Sequence, residues 1–169
     1  YPVPDERLAQ VLSWIERTVD GLSSTGSDRS YSADAEPYLH YVLARAGKAR
    51  KGRIQRLVET IGADPRYERR EHLYLLQAAL WLAGDRRYEA ELKRPDDSPL
   101  SDRRDMGWSF YSDRRMRGLM LSTFADLFGK DPAAEKLADV VAEGLRSQPS
   151  AWYTTQELVW GVTGLGKYL

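Results

Sequence analysis

The residues that could do chemistry are few, and their spacing does not assemble a reaction centre. The chain has two histidines, His40 and His72. Neither is followed four residues later by a second histidine, and we expect no nearby glutamate to act with either. We therefore interpret both as structural or surface histidines rather than metal ligands or general bases. Asp96 and Asp97 could form the carboxylate pair of a magnesium site, but a proline-flanked loop favours a solvated turn.

The hydroxyl side chains give no stronger signal. Ser109, Ser112, Thr154 and Thr155 have no convincing base, and helix capping accounts for at least two of them. The chain has no cysteine, which excludes disulfides, thiolate zinc sites and cysteine nucleophiles. We therefore predict that this chain has no catalytic, metal-binding or cofactor-binding residue, needs no cofactor and is not an enzyme.

Basic residues are densest in one stretch between two predicted helices. The stretch contains Arg45, Lys48, Arg50, Lys51, Arg53 and Arg56. A solvated, salt-bridged face is our main interpretation, and a docking patch for an acidic partner is the alternative. The whole chain balances 25 basic against 25 acidic residues, so we expect no binding to nucleic acid. No apolar run approaches the roughly 18 residues of a membrane span.

Two kinds of helix alternate along the sequence, and no segment indicates a strand. Helices with one apolar stripe are predicted near residues 5–22, 50–62, 85–93 and 131–147. Helices that are apolar nearly all round are predicted near residues 34–47, 71–84, 112–128 and 152–169. Helices of the second kind need cover on both sides, and helices of the first kind can provide it. We predict one all-α domain over residues 1–169, built as a double layer of helical hairpins and forming a fragment of a larger chain.

The last helix should begin at Thr154, because Glu157 three residues later completes a capping box. Its apolar stripe comprises Leu158, Val162, Leu165 and Leu169, and its glycines are Gly161, Gly164 and Gly166. Because Trp160 and Tyr168 lie off the stripe, we expect a helix enclosed on nearly all sides. The glycines would cost ~1 kcal/mol each in an exposed helix, so we expect them to let neighbouring backbones approach closely.

Two further features complete the sequence interpretation. Residues 95–105 form a polar loop that we expect to be mobile or draped over the surface. The tryptophans should pack in the core; they are Trp14, Trp81, Trp108, Trp152 and Trp160.

Three segments resemble the thioester domain of bacterial α-2-macroglobulin-like proteins. Residues 37–49, Pro-Tyr-Leu-His-Tyr-Val-Leu-Ala-Arg-Ala-Gly-Lys-Ala, resemble that family's helix ending in Leu-Ala-Arg-Ala-Gly-Lys. Residues 111–115, Tyr-Ser-Asp-Arg-Arg, are similar to a Tyr-x-Ser-Asp-x-Arg opening of an apolar helix. Residues 152–157, Trp-Tyr-Thr-Thr-Gln-Glu, resemble the Trp-x-Ser/Thr-Thr-Gln-Glu that opens a late helix. The segments occur in the family's order over residues 32–169.

The resemblance implies an α/α-toroid, in which inner helices are ringed by outer helices, and four of each would be about two-thirds of the ring. It implies a longer parent chain with β-sandwich domains, located in the periplasm or cell envelope. It also implies inhibition of proteases by entrapment, with target proteases as partners. A severed ring would expose apolar surface, so we expect self-association through that edge.

The sequence departs from the family at the reactive site. The family's thioester is built from Cys-x-Glu-Gln, and this chain has no cysteine. The motif either lies upstream or is absent from this member, and Gln156-Glu157 is not a remnant of it. The segment would then act as scaffold and docking surface rather than in catalysis.

Two rival interpretations remain open. A free-standing helical-repeat module could bind a peptide in a groove lined by Tyr38, Tyr41 and Trp81. However, the helix-ending glycines are separated by 37 and then 45 residues, whereas a tetratricopeptide array keeps a period of about 34. A toroid-fold enzyme such as a terpene cyclase, prenyltransferase or glycosidase would need acidic clusters or zinc ligands, for which the sequence gives no signature.

Overall fold

A computed structural model describes residues 3–24, 32–63, 70–105, 111–147 and 154–169. Regular structure within these ranges is helical. The helices are α1 (Asp5–Ser24), α2 (Ser32–Arg45), α3 (Lys51–Gly62), α4 (Arg70–Leu82), α5 (Glu89–Leu92), α6 (Asp113–Phe128), α7 (Glu135–Arg146) and α8 (Thr155–Tyr168), with a 3-10 turn at Pro132–Ala134 before α7. The predicted all-α class is confirmed. None of the described helices combines the length and apolarity that crossing a membrane would require.

The chain divides into two compact units, Tyr1–Arg86 and Arg87–Leu169. The first unit is centred on α4, where nearly every residue from 71 to 80 is buried. Helices α2 and α3 pack against α4, and α1 packs against α2. Leu12, Ile15 and Val19 of α1 form a cluster with Leu43 of α2. An enclosed α4 with one buried stripe on each of α1 and α3 is the arrangement predicted for these three helices. Helix α2, which the sequence also predicts as an enclosed helix, is buried at Tyr41 and Leu43 but exposed at Tyr38.

Trp14 is the exception in the first unit. It lies on the outer face of α1 and is 56% exposed, so its predicted place in the core is wrong. The α1 stripe is filled by smaller aliphatic side chains, and Trp14 falls outside their helical spacing. Trp81 and Trp160 are half-buried, and Trp108 and Trp152 lie outside the described residues.

The second unit is centred on α6, whose residues from Met116 to Phe124 are all buried. Helices α7 and α8 pack against α6 and against each other. Helix α7 buries one stripe, which includes Leu137, Ala138 and Val141. Helices α6 and α7 therefore match the prediction of an inner helix that is covered on all sides and an outer helix that buries one stripe.

Helix α8 departs from its prediction. Its buried residues are Glu157, Gly161, Gly164 and Tyr168, whereas Val162 is 62% and Leu158 42% exposed. The expectation of a helix enclosed on nearly all sides is therefore wrong. The physical reason is that α8 packs on α6 through its glycine face, which leaves the bulky aliphatic face outside.

The prediction that the glycines let neighbouring backbones approach is correct at Gly164, where a Cβ would lie 2.7 Å from the Gly118 carbonyl oxygen. At Gly161 the close neighbour is a side chain instead, because a Cβ there would lie 3.0 Å from Leu145 Cδ2. A Cβ on Gly166 would meet nothing within 4 Å, so this glycine is not explained by packing.

Several helix boundaries follow local signals. Ser112 accepts a hydrogen bond from the Arg115 backbone N–H, and Asp131 accepts one from Ala133. Gly129 takes a φ of +64° after α6, a conformation that favours glycine because a Cβ would be strained there. The fifth helix is a correction: it does not start at Asp85 but is a single turn beginning at Glu89.

Candidate functional site

The first part of the site is the start of α8. Thr154 Oγ1 accepts a hydrogen bond from the Glu157 backbone N–H at 3.2 Å, and Glu157 Oε2 accepts one from the Thr154 N–H at 2.8 Å. These two bonds form the predicted capping box. The Glu157 side chain is only 1% exposed, so it needs further partners to remain ionised.

Arg104 provides the main partner for this buried carboxylate. Its Nε and Nη2 atoms donate to the two Glu157 oxygens, each at 2.9 Å. The paired geometry is the strong form of an arginine–carboxylate interaction. Burial alone would raise the pKa of Glu157, but hydrogen bonds from Thr154 and Ser112 and the Arg104 charge together hold that pKa below its usual value. Glu157 is therefore a carboxylate at neutral pH.

The second part of the site is the start of α6. Residues 103–105 run antiparallel to residues 111–113, with a bridge between Arg104 and Ser112. The Asp105 N–H donates to the Tyr111 carbonyl at 2.8 Å, and the Asp113 N–H donates to the Arg103 carbonyl at 3.3 Å. This pairing fixes the backbone on which Arg104 reaches Glu157.

Asp113 holds the preceding loop against α6. Its carboxylate is buried and accepts hydrogen bonds from the Ser101 N–H at 3.0 Å and from the Tyr111 hydroxyl at 2.9 Å. A second bond comes from the Ser101 hydroxyl. Residues 95–105, which we call the strap, therefore lie over α6 and contact it. Of the two predicted alternatives, a mobile loop or a loop draped over the surface, the structure matches the second.

The two helix starts enclose a cavity of about 380 Å³. Its described lining consists of Arg104, Asp105, Tyr111, Ser112, Thr154, Thr155 and Gln156. These residues offer hydroxyl, amide and carboxylate groups. The only titratable acid in this described lining is Asp105, and the Arg104 guanidinium is held by Glu157. Such a lining can hydrogen-bond a polar group or a peptide segment, and it presents no nucleophile beside a base.

Of the four hydroxyl residues considered in the sequence analysis, three line this cavity and one lies outside the described residues. Ser112 and Thr154 are both helix caps, as expected, and Thr155 lies beside them on the cavity wall. Ser109 lies outside the described residues. The sequence analysis did not identify Arg104 as a partner of Glu157, because 53 residues separate them and no local pattern connects the two.

The histidines lie far from this cavity in sequence and in separate helices. His40 is fully buried in α2, with Nε2 3.5 Å from Glu36 Oε1. Glu36 is the nearby glutamate that the sequence analysis overlooked, and it also accepts a hydrogen bond from Arg53 Nε at 2.7 Å. Burial opposes ionisation of Glu36, but the neighbouring His40 and the hydrogen-bonded Arg53 hold its pKa below the usual value.

His72 is also buried, in α4, with Nε2 4.0 Å from Oε1 of Glu71. Both histidines thus lie in packed helices, each beside one glutamate. Across the described part of the chain, no three or more His, Cys, Asp or Glu side chains gather closely enough to hold a metal ion.

Asp96 and Asp97 differ from each other. Asp96 accepts hydrogen bonds from the Ser98 N–H at 3.1 Å and hydroxyl at 2.7 Å, which confirms a turn. Its Oδ2 atom also lies 2.7 Å from Nη1 of the buried Arg117, so the turn is present but the prediction that it is solvated is wrong for Asp96. Asp97 is exposed, with Lys136 3.8 Å away.

The basic stretch is salt-bridged at three of its positions. Lys48 Nζ lies 2.8 Å from Glu16 Oε2, Arg50 Nη1 lies 2.6 Å from Asp20 Oδ1, and Arg53 bonds to Glu36. These contacts match the main interpretation of the stretch. The alternative, a docking patch for an acidic partner, stays a prediction.

The peptide groove of the rival interpretation is not formed as expected. Tyr41 is 4% exposed, so it cannot line an open groove. The Arg86 guanidinium carbon lies 3.5 Å from the Trp81 ring centroid and covers that ring. Tyr38 remains exposed beside Tyr41, at a ring-centroid distance of 6.5 Å.

The described chain is thus all-helical in its regular structure, and a recess joins the starts of α6 and α8. No protein-family model matches its sequence, and no curated protein and no solved structure matches it significantly.

Proposed function

We propose that this chain is part of the helical thioester-type domain of a bacterial α-2-macroglobulin-like protease inhibitor, located in the periplasm or cell envelope. Its contribution is scaffold and docking surface, and the chemistry of protease capture lies elsewhere in the parent protein. Target proteases and the parent's β-sandwich domains are the partners that this function requires.

One observation carries the proposal. Two of the segments that resemble the family are distant in sequence but meet in space: residues 111–115, and residues 154–157 of the segment 152–157. Arg104, which forms a backbone bridge with Ser112, binds Glu157 through its side chain, and residues of both segments line the same cavity. Segments that form one junction have a shared structural reason to occur together, which supports treating them as one signature rather than as separate coincidences.

The burial pattern gives further support. Helices α4 and α6 are covered on all sides, and α3 and α7 each bury one face. A toroid is built from such pairs of inner and outer helices. Since α8 buries only its glycine face, the support is weaker for the last pair.

The test uses the full-length protein encoded by the parent gene, incubated with a broad-specificity protease. Entrapment leaves the protease able to cut a small chromogenic peptide but blocks its action on a large protein substrate. Equal inhibition of both substrates would indicate a blocked active site, and inhibition of neither would exclude a protease trap; both results contradict the proposal.

A matched pair of substitutions tests the scaffold role within the same assay. Glu157→Gln should lower the temperature up to which the protein protects the large substrate, because it removes the charged partner of the half-buried Arg104 guanidinium. Glu143→Gln removes a carboxylate that is 68% exposed, and it should leave protection unchanged. If both variants protected the large substrate up to the same temperature, the pairing of Glu157 with Arg104 would not contribute to the scaffold role.

A further inference from the structure

The strap contains no helix, and carboxylates attach it to α6 and α8 at three places. At its start, Asp96 Oδ2 lies 2.7 Å from Nη1 of Arg117 on α6. Arg117 Nη2 also donates to the Ser98 hydroxyl at 2.8 Å and to the Ser98 carbonyl at 3.3 Å. Because Arg117 is 2% exposed, the strap supplies the counter-charge and hydrogen bonds that this buried guanidinium needs.

The other two attachments also join a carboxylate to a strap residue. In the middle of the strap, the N–H and hydroxyl of Ser101 both donate to Asp113 of α6, and the Tyr111 hydroxyl donates to the other oxygen of that carboxylate. At the end of the strap, Arg104 donates two hydrogen bonds to Glu157 of α8. Charge-assisted hydrogen bonds are stronger than neutral ones, so protonation of the carboxylates weakens all three attachments.

Other contacts of the strap do not depend on buried charge. Leu100 packs on α7, where a Cβ placed on Gly144 would lie 2.6 Å from Leu100 Cδ1, and Pro95 is buried. Two backbone hydrogen bonds join the end of the strap to the start of α6. Asp102 lies 3.8 Å from Arg114 but is 67% exposed, so this pair contributes little. An irregular segment with so little apolar contact opens locally at a lower free energy than the helices beneath it.

Helix α6 is held to α8 by different means. A Cβ on Gly118 would lie 2.5 Å from the Trp160 carbonyl carbon, so the two backbones touch without any titratable group. At the far end of α8, Lys167 Nζ lies 2.8 Å from Asp126 Oδ2, and the strap takes no part in this ion pair. Glu157 also caps α8, but a weakened cap frays only the first turn, which ends before the contact with Gly118.

Cations face the two ion-paired carboxylates. Arg114 and Arg117 of α6 line the same small recess as Glu157, and the other described lining residues of that recess carry no charge. Asp96 is faced by Arg117, and Lys136 of α7 lies 3.8 Å from the next aspartate of the strap. These surroundings favour the charged carboxylates, so the strap is attached at neutral pH.

The direction of the pKa shifts defines the pH range of the attachment. Burial raises the pKa of Asp96, but hydrogen bonds from Ser98 and the Arg117 charge hold that pKa below its usual value. The pKa of Glu157 is also held below its usual value. Carboxylates of this kind stabilise the attachment above their unfolded pKa values of about 3.9 and 4.3. Their effect is lost as the pH falls through the lower, folded values.

We propose that the strap is an acid-released segment: protonation of its carboxylate anchors detaches it from α6 and α8, while α6 stays packed on α8. Detachment lets water reach the Arg117 guanidinium and separates Leu100 from α7. The second unit therefore presents a different surface in acid from the one that it presents at neutral pH.

The first experiment measures hydrogen exchange of single backbone amides in the full chain by NMR, from neutral pH to about pH 2.5, a range that brackets the titration of the anchors. Rates are expressed as protection factors, which correct for the effect of pH on intrinsic exchange. The Ser101 amide reports on the strap because its N–H is bonded to Asp113, and the amides of residues 119–121 report on α6. The Ser101 factor should fall at least about tenfold at a pH that leaves the α6 factors unchanged.

Two results of this titration would overturn the proposal. Loss of protection in the strap and in α6 at the same pH would show that acid unfolds the second unit as a whole. A Ser101 protection factor that stays constant to the lowest pH would show that the carboxylates do not hold the strap.

The second experiment replaces one anchor by its neutral mimic. Asp96→Asn should lower the Ser101 protection factor at neutral pH at least about tenfold. It should leave the factors of residues 119–121 unchanged, because a detached strap lets water solvate Arg117. Asp97→Asn is the matched control, because the Asp97 side chain is 45% exposed, and it should change neither factor. Equal Ser101 protection in the two variants would contradict the proposal, and the wild-type titration tests it without either variant.

Discussion

Replacing Gly118 with alanine should lower the free energy of unfolding by about 2 kcal/mol. A severe steric clash in a packed core costs ~3 kcal/mol, and the higher helix propensity of alanine offsets ~1 kcal/mol of that cost. Gly118 lies within α6 where α8 crosses it. A Cβ there would lie 2.5 Å from the Trp160 carbonyl carbon, 2.6 Å from the Gly161 nitrogen and 2.7 Å from the Trp160 oxygen. These atoms are all backbone, so no side-chain rotation can relieve the clash and α8 must shift as a whole.

The assay is urea denaturation followed by far-ultraviolet circular dichroism, with Gly166→Ala as the matched control. Gly166 lies on α8, and a Cβ there meets nothing within 4 Å. It should therefore gain helix propensity without a clash and stabilise the protein by up to ~1 kcal/mol. The two variants should shift the unfolding midpoint in opposite directions. Equal stability of Gly118→Ala and the wild type would refute the close approach of α6 and α8 on which the reasoning rests.

Two further predictions concern buried charge. The folded-state pKa of Glu157 lies below its usual value, so its carboxylate stabilises the fold above the unfolded pKa of about 4.3 and loses that effect as the pH falls through the folded pKa. Glu157→Gln should therefore show a shallower loss of stability below about pH 4.3 than the wild type, measured by thermal melts across pH, and an unchanged slope would contradict this linkage. Arg117→Ala should cost about 3 kcal/mol, because Arg117 is 2% exposed and its removal deprives Asp96 of its counter-charge. The control is Arg146→Ala, because the Arg146 side chain is 75% exposed, and it should change stability by less than ~0.5 kcal/mol in the same urea assay. Comparable losses of stability in the Arg117 and Arg146 variants would argue against a stabilising Arg117–Asp96 pair.

Local chemistry made the helix ends predictable from sequence. Ser112, Asp131 and Thr154 each bond to a backbone N–H only two or three residues further on. Because each cap and its partner lie within one helical turn, a short sequence pattern is enough to predict the hydrogen bond. Apolar spacing worked equally well for α4 and α6, whose sequences leave no face to present to water.

Long-range pairing explains most of what the sequence did not reveal. Arg104 and Glu157 form a paired ion bridge across 53 residues, and Asp96 reaches Arg117 from an irregular strap. A charged residue is expected at the surface unless a specific partner offsets its desolvation. Since that partner is defined by the tertiary fold, the sequence did not identify either pair, and it placed Asp96 in a solvated turn.

The orientation of α8 shows a different limit, because hydrophobicity is not the only determinant of which face is buried. Gly118 and Gly164 allow the α6 and α8 backbones to touch, and close contact over many atoms gains dispersion energy that a bulky stripe held further away would forgo. A helix can present only one of its two faces to α6, so burial of the glycines leaves Leu158 and Val162 exposed. The two orientations make opposite predictions for two substitutions. With the glycine face inside, Gly118→Ala destabilises the fold and Val162→Lys leaves the fold intact. With the aliphatic face inside, Val162→Lys would bury an unpaired charge and unfold the chain, whereas Gly118→Ala would be tolerated.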